Sequence, residues 1–383
     1  MTDAYSGVYL AALDETETRQ LSKVESRMEY AGGYVFFGQQ SSLFAQRFDE
    51  HELALTGEPF RIAEDLGFSS VGLTAYGFSV SPRGNLVYWS GTRLPVTQLT
   101  WLNRAGQRLG TIGEPGEFMG FALPPTGTQA VLERHDPKTN IEDLLLMDTT
   151  TGVASKFNAS FSQYQGTPVW SPDRDRVLFA TFPGLAGLLL RGGEPEKLLD
   201  EMIWLMDISP DGQYALLLKN DPLTGADLWL LPLAGDRRLK PYLVTKENTV
   251  DARFSPDGRW VAYVSDESGR PELYVQSFPE PSRAIRVSVN GGDRPEWRKD
   301  GKELYFIAPD RNLMAVAVNG TGPLFQVSPP QPLFRVKTAG ADYSRQQYQP
   351  SADGTQFLFN SQVEDTTPLV LNVLLNWKAQ VKK

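Results

Sequence analysis

Phe254-Ser255-Pro256-Asp257-Gly258-Arg259-Trp260-Val261-Ala262-Tyr263-Val264 decides the fold of this 383-residue chain. A tight turn stands between two runs rich in aromatic and β-branched residues. Pro presets the first central turn position, Asp can bond nearby backbone, and Gly accepts the positive φ that follows. Ser209-Pro210-Asp211-Gly212 repeats the turn. Looser copies are Ser81-Pro82-Arg83-Gly84, Pro124-Pro125-Thr126-Gly127, Ser171-Pro172-Asp173-Arg174, Arg298-Lys299-Asp300-Gly301 and Ser351-Ala352-Asp353-Gly354. The step between copies is roughly 40–50 residues, the length of a propeller blade.

The flanks read as short strands. Val250–Phe254 enters the turn and Arg259–Val264 leaves it; Glu272–Phe278 and Ala284–Val289 follow, with Gly, Pro and Asp between them. Four antiparallel strands per repeat predict an all-β chain folded as one β-propeller. Helical spacing is hard to find anywhere. A degenerate unit around Tyr30-Ala31-Gly32-Gly33 brings the expected count to eight blades, with seven as the alternative. Their expected limits are 20–66, 67–113, 114–157, 158–200, 201–248, 249–291, 292–337 and 338–383 plus 1–19. Gly7–Leu13 reads as the third strand of a blade lacking its first two, and Leu369–Trp377 as the last strand of a blade with three. The expectation is that these two ends complete one blade and remove two open sheet edges. A chain that starts mid-blade is also expected to be a fragment or a stand-alone relative of a longer protein.

Hydrophobic content of 41%, with 20 Phe, 14 Tyr and 8 Trp, suffices to pack sheet on sheet. The formal net charge of −9 and the lack of a basic run argue against a nucleic-acid surface. There is no cysteine, which excludes disulfides, thiolate chemistry and Cys-ligated zinc. The first residues show no basic start and apolar core, so no signal peptide is visible. Phe179–Leu190, the longest apolar stretch, is too short to span a bilayer.

Catalytic signatures are sparse. The chain has two histidines, His51 and His135. His135 reads as a hydrogen-bonded loop residue at a strand end, His51 as a residue of a charged, exposed loop. No Gly-x-Ser-x-Gly elbow, Walker loop or dinucleotide fingerprint occurs. Glu142 and Asp143 suggest calcium, but the spaced ladder of an EF-hand is missing, so no cofactor is expected, with a structural calcium as the alternative.

The candidate site lies on the first strand of each repeat, just ahead of the turn. Alignment on the turn puts Phe254, Trp297, Trp170 and Ile208 in one row, read as core between blades. One position back stand Arg253, Glu296, Val169, Asp207 and Gln349; two further back stand Asp251, Arg294, Thr167 and Gln347. Strict alternation puts these two rows on one face, bordering a central channel. Asp207, Asp251, Arg253, Arg294, Glu296 and Gln347 are therefore the candidate binding residues at the channel mouth. The competing reading is that the opposed charges simply pair across neighbouring blades.

The pattern of Phe254–Tyr263 resembles the TolB-like, WD-type propeller repeats of bacteria. Leu55–Phe60, Leu99–Gly106, Ser265–Arg270 and Leu371–Trp377 are similar to the propeller half of bacterial membrane-anchored Ser/Thr protein kinases, over nearly the whole chain. That resemblance implies a non-catalytic sensor or interaction module, tethered to a kinase in a longer protein and extracytoplasmic in that case. No Gly-rich loop, His-Arg-Asp or Asp-Phe-Gly is present, so the chain itself carries no kinase chemistry. The expected partner is a protein, a peptide or a small polar ligand. The alternative is a metal-dependent propeller enzyme, lactonase- or lyase-like, working through channel carboxylates. A third reading, the gating propeller of a prolyl-oligopeptidase-like peptidase, needs a hydrolase domain from another chain.

Overall fold

The computed structural model describes residues 7–11, 18–24, 26–39, 42–69, 75–90, 95–124, 128–136, 141–157, 165–322, 324–338, 345–363 and 370–380. Among them every regular element is a β-strand except one 3-10 turn, Trp377–Gln380. The chain divides into two compact units. The first comprises Met1–Pro95, Asp136–Asn140 and Glu364–Lys383, the second Val96–His135 and Ile141–Val363.

The second unit is built from antiparallel sheets of four strands, one of them with a fifth. Around the defining turn the strands are Thr249–Phe254, Trp260–Ser265, Glu272–Ser277 and Ile285–Arg286, paired in that order. The turn has the chemistry its residues imply. Gly258 has φ 67° and donates its N–H to Ser255 O. Ser255 Oγ donates to Asp257 Oδ1 at 2.6 Å and accepts from Trp260 N at 3.0 Å. Ser209–Tyr214 and Ser351–Gln356 repeat these bonds.

Trp260–Ser265 shows how the sheets pack. All six residues are buried. Val261 and Tyr263 join one core with Met206, Leu216 and Leu228 of the preceding sheet. Trp260, Ala262 and Val264 join another with Trp297, Leu304 and Val316 of the following one. Period-two alternation thus serves two cores at once, and each large side chain so buried contributes roughly 1.5–3 kcal/mol relative to exposure.

One sheet joins the two ends of this unit. Tyr348–Pro350 pairs with Gln356–Gln362, which pairs with Thr97–Asn103 over seven consecutive residues, from Thr97 opposite Gln362 to Asn103 opposite Gln356. Arg108–Gly116 completes it. The strand partners differ here from the sequence expectation. Val370–Leu374 pairs with Leu86–Ser90 and Val8–Ala11 with Thr18–Ser22. Short alternating strands advertise themselves locally, but nothing local marks which distant strand they will bond.

In the first unit Met28–Ala31, Tyr34–Gln39, Ser42–Asp49 and Ala54–Ala63 form a four-stranded sheet. Phe78–Val80, Leu86–Ser90 and Val370–Leu374 form a three-stranded one. Trp377 is buried beside Phe36 and Tyr34, ring centroids 4.7 and 5.2 Å away at edge-to-face angles, and its backbone N–H donates to Gly84 O.

Candidate functional site

The first strands of three sheets in the second unit each carry a bulge at the candidate positions. Val250 faces Val264, yet Arg253 faces Ala262, so the first strand has one residue in excess. The same insertion falls between Gly166 and Val169 and between Asp293 and Glu296. Thr167, Asp251 and Arg294 occupy it with φ 47°, 53° and 54°, a region non-glycine residues seldom visit. The strict alternation expected from sequence is therefore interrupted between the two rows. Pro168 and Pro295, inside strands, were the signal for it, because proline in a sheet interior marks a bulge or an edge.

The bulges are held by carboxylates of neighbouring sheets. Asp251 Oδ2 accepts the N–H of Arg294 at 2.6 Å. Glu133 Oε2 accepts the N–H of Thr167 at 3.1 Å, and Asp207 Oδ2 that of Phe254 at 2.8 Å. Side chains add to these links. Arg253 Nε donates to Glu296 Oε1 at 3.1 Å, while its Nη1 donates to Met206 O and Ala252 O. Glu296 Oε1 also accepts from Gln346 Nε2. Gln347 Nε2 donates to Met119 O at 2.6 Å, and Arg294 O accepts from Tyr348 Oη at 2.8 Å. The indole N–H of Trp170 reaches Ala122 O, and that of Trp297 reaches Arg253 O.

Of the six candidates, Asp207, Asp251 and Glu296 are thus gathered around Arg253. Asp251 meets the backbone of Arg294, Arg294 donates from Nη1 to Asp293 at 3.1 Å, and Gln347 belongs to a separate set of bonds with Asn360. Burial dominates the electrostatics. It pushes Glu296 up to about 8, even though Arg253 pulls the other way. It raises Asp207 and Asp251 to about 6, again against Arg253. Burial works against the charge of Arg253, but Glu296, Asp251 and Asp207 outweigh it and hold the guanidinium charged.

Sequence reasoning missed the second half of this region. Glu133 is fully buried and accepts from Arg345 Nε at 2.6 Å; Arg345 Nη2 donates to Glu142 at 3.0 Å. Glu133 lies on a second strand and Arg345 ahead of a first one, so turn alignment could not reveal either. Asp143 is clamped by Arg134, with Lys156 3.4 Å away. The two carboxylates that suggested calcium are therefore occupied by cations of the chain. Among the described residues no group of three or more His, Asp or Glu is placed to hold a metal ion. His135 is buried on a strand and its backbone N–H donates to Glu117 O; His51 is exposed, its backbone N–H donating to Asp49 Oδ1.

A small cavity touches Glu133, Thr167, Met206, Arg253 and Gln346. Its ≈ 10 Å³ of space for the centre of a water-sized sphere is room for about one water molecule. In this conformation the region can hold sheets together far better than it can enclose a substrate.

No family model matches the chain. The Tol-Pal system protein TolB of Alcanivorax borkumensis is 34% identical over 73 residues, 18% of this chain and 17% of that protein. The match therefore spans about a sixth of the relative. Among solved structures, a TolB-type protein of Agrobacterium tumefaciens superposes with a TM-score of 0.58 at 15% identity, covering 71% of this chain and 99% of the other. A chain of the hydrazine synthase of Kuenenia stuttgartiensis gives 0.50 at 12% identity, covering 78% and 94%. These likenesses show the fold alone, an all-β propeller-type arrangement of four-stranded antiparallel sheets.

Proposed function

We propose that this chain is a non-catalytic propeller module that binds a protein partner, with Val96–Val363 as a ring of six blades. One observation carries the reading: the buried carboxylates of this region are spent on arginines and backbone amides of adjacent sheets, as in Glu133 with Thr167 and Arg345. Groups so bonded fasten a scaffold, and among the described residues no three His, Asp or Glu gather to hold a metal ion. The six-blade count is supported by the six sheets of four or more strands among the described residues of the second unit. The sheet shared by its two ends suits ring closure, which removes open edges. The TolB-like fold favours a protein as the partner. A sensory role beside a membrane kinase rests on the sequence similarity of Leu55–Phe60 and Ser265–Arg270.

The test is reconstitution. The full chain is used to capture a protein from cells of its source, and that protein is purified and remixed with the chain. A stoichiometric complex in sedimentation supports the reading. Stoichiometric divalent metal in the purified chain, with turnover of a lactone or oligouronide that Glu133→Gln abolishes, overturns it for the lactonase- or lyase-like alternative.

A further inference from the structure

The three successive sheets between Gln165 and Arg286 have two unlike ends. In an antiparallel sheet the turns from first to second and third to fourth strand lie at one end. The turns from second to third, and the connections to the next sheet, lie at the other. At the first end the segments 171–176, 190–195, 209–213, 233–239, 255–259 and 279–284 carry seven acidic and seven basic residues. At the second end the segments 181–184, 199–202, 219–225, 244–248, 266–270 and 289–292 carry six acidic and three basic. Every exposed large apolar side chain of this region also lies at the second end: Phe182, Met202, Leu223, Val244 and Val289.

These segments form a continuous border. Gly184 sits against the carbonyl of Leu199, where an added Cβ would lie 2.3 Å from the oxygen. Glu201 meets Lys219 at 2.6 Å, Asn248 accepts from Ala226 N at 3.1 Å, and Asn248 donates to Asp266 at 2.8 Å. Arg270 reaches Val289 O at 2.9 Å. Apolar side chains set among excess carboxylate are what remains exposed when a surface is kept for a partner. Leu223 is 93% exposed at the tip of its turn, its side chain almost wholly in water.

We propose that this end is the docking surface, and that its occupant is a basic protein segment carrying apolar anchors. The inference rests on the protein-binding reading above and names its surface and partner chemistry. The apolar anchors would cover Met202, Leu223 and Val244, while Lys or Arg side chains would meet Glu247 and Glu267. The charge difference between the two ends selects a basic partner over an acidic one.

The test uses the full chain and three labelled peptides: alternating Leu and Lys, alternating Leu and Glu, and alternating Ser and Lys. Fluorescence anisotropy is expected to show saturable binding of the Leu-Lys peptide, at least tenfold tighter than either control and weakened by salt. Leu223→Ser with Met202→Ser should weaken it at least tenfold while leaving the melting temperature unchanged. Glu247→Gln with Glu267→Gln should flatten its salt dependence. Leu324→Ser, outside these segments, serves as the reference and should leave binding as it was. Equal binding of the Leu-Glu peptide, or no effect of the Leu223 and Met202 changes, overturns the proposal. If a reconstituted partner complex survives those changes intact, this surface is wrong while the protein-binding reading stands.

Discussion

Arg345 donates from Nε to Glu133 Oε1 at 2.6 Å, joining two residues 212 positions apart in the chain. Both side chains are buried, and Glu133 also holds the bulge amide of Thr167. Removing one partner of such a pair leaves a charge in low dielectric without compensation, at a cost of about 3–5 kcal/mol. Arg345→Met is therefore expected to lower the unfolding free energy measured in urea by that much. Arg345→Met with Glu133→Gln should recover part of the loss, because the fully buried carboxylate is then neutral. A single variant as stable as the parent would show that the pair carries no such weight.

The Arg253 cluster sets a pH dependence. Unfolded carboxylates titrate near about 4. In the fold, burial raises Asp207 and Asp251 to about 6 and Glu296 to about 8. Between these limits the folded state binds more protons than the unfolded one, so this contribution is full below about 4 and is lost as pH rises through 6 to 8. Asp353 has the opposite sign: its bonds to Ser351 and Thr355 hold it at about 2, a contribution lost as pH falls through that value. Denaturant midpoints are expected to decline from pH 5 to pH 8.5. Glu296→Gln should flatten the upper part of that decline, and an unchanged slope would count against the assignment.

Arg174 stands where other copies of the turn have glycine. Its φ is 61°, against 72° at Gly212, 67° at Gly258, 70° at Gly301 and 69° at Gly354. A side chain in the left-handed region costs about 1–2 kcal/mol, offset in part by the greater chain entropy that glycine loses on folding. Arg174→Gly is expected to raise stability by about 0.5–1 kcal/mol in equilibrium denaturation. A loss would mean that the arginine side chain contributes more than its backbone costs.

Trp377 anchors the core of the first unit on Phe36, Tyr34 and Leu86. Trp377→Ala removes the largest side chain of that cluster and should cost about 3–5 kcal/mol locally. Hydrogen exchange at the amides of Tyr34–Gln39 would then quicken more than a hundredfold. Exchange that stays as slow as before would place the anchor elsewhere.

What the sequence discloses follows the range of the forces involved. The Ser-Pro-Asp-Gly turns are local, their bonds spanning five residues or fewer, and both turn and flanking strands could be read directly. Asp251 and Arg294 were aligned in one row with Thr167, and all three occupy the same bulge. The bulge itself is not legible from alternation, which runs on unbroken unless Pro168 and Pro295 are weighed against it. Arg253 with Glu296 follows from two aligned positions of neighbouring repeats. Glu133 with Arg345 does not, since one lies on a second strand and the other before a first. The pairing of Thr97–Asn103 with Gln356–Gln362 is invisible for a related reason: strand pattern says that an edge needs a partner and not where in the chain that partner lies.

That last pairing bears on how the molecule is made. Thr97–Gly116 leaves the ribosome about 240 residues before the strands it must join, a delay of roughly 10–50 s at ordinary elongation speeds. Through that interval Thr97–Asn103 presents an unbonded backbone edge of the kind that recruits other nascent chains. The enclosed sequence does little to blunt it, since Thr97-Gln98-Leu99-Thr100-Trp101-Leu102 is β-prone and uncharged. The yield of folded protein should therefore depend on how well the cell shields this one hexapeptide until synthesis is nearly over.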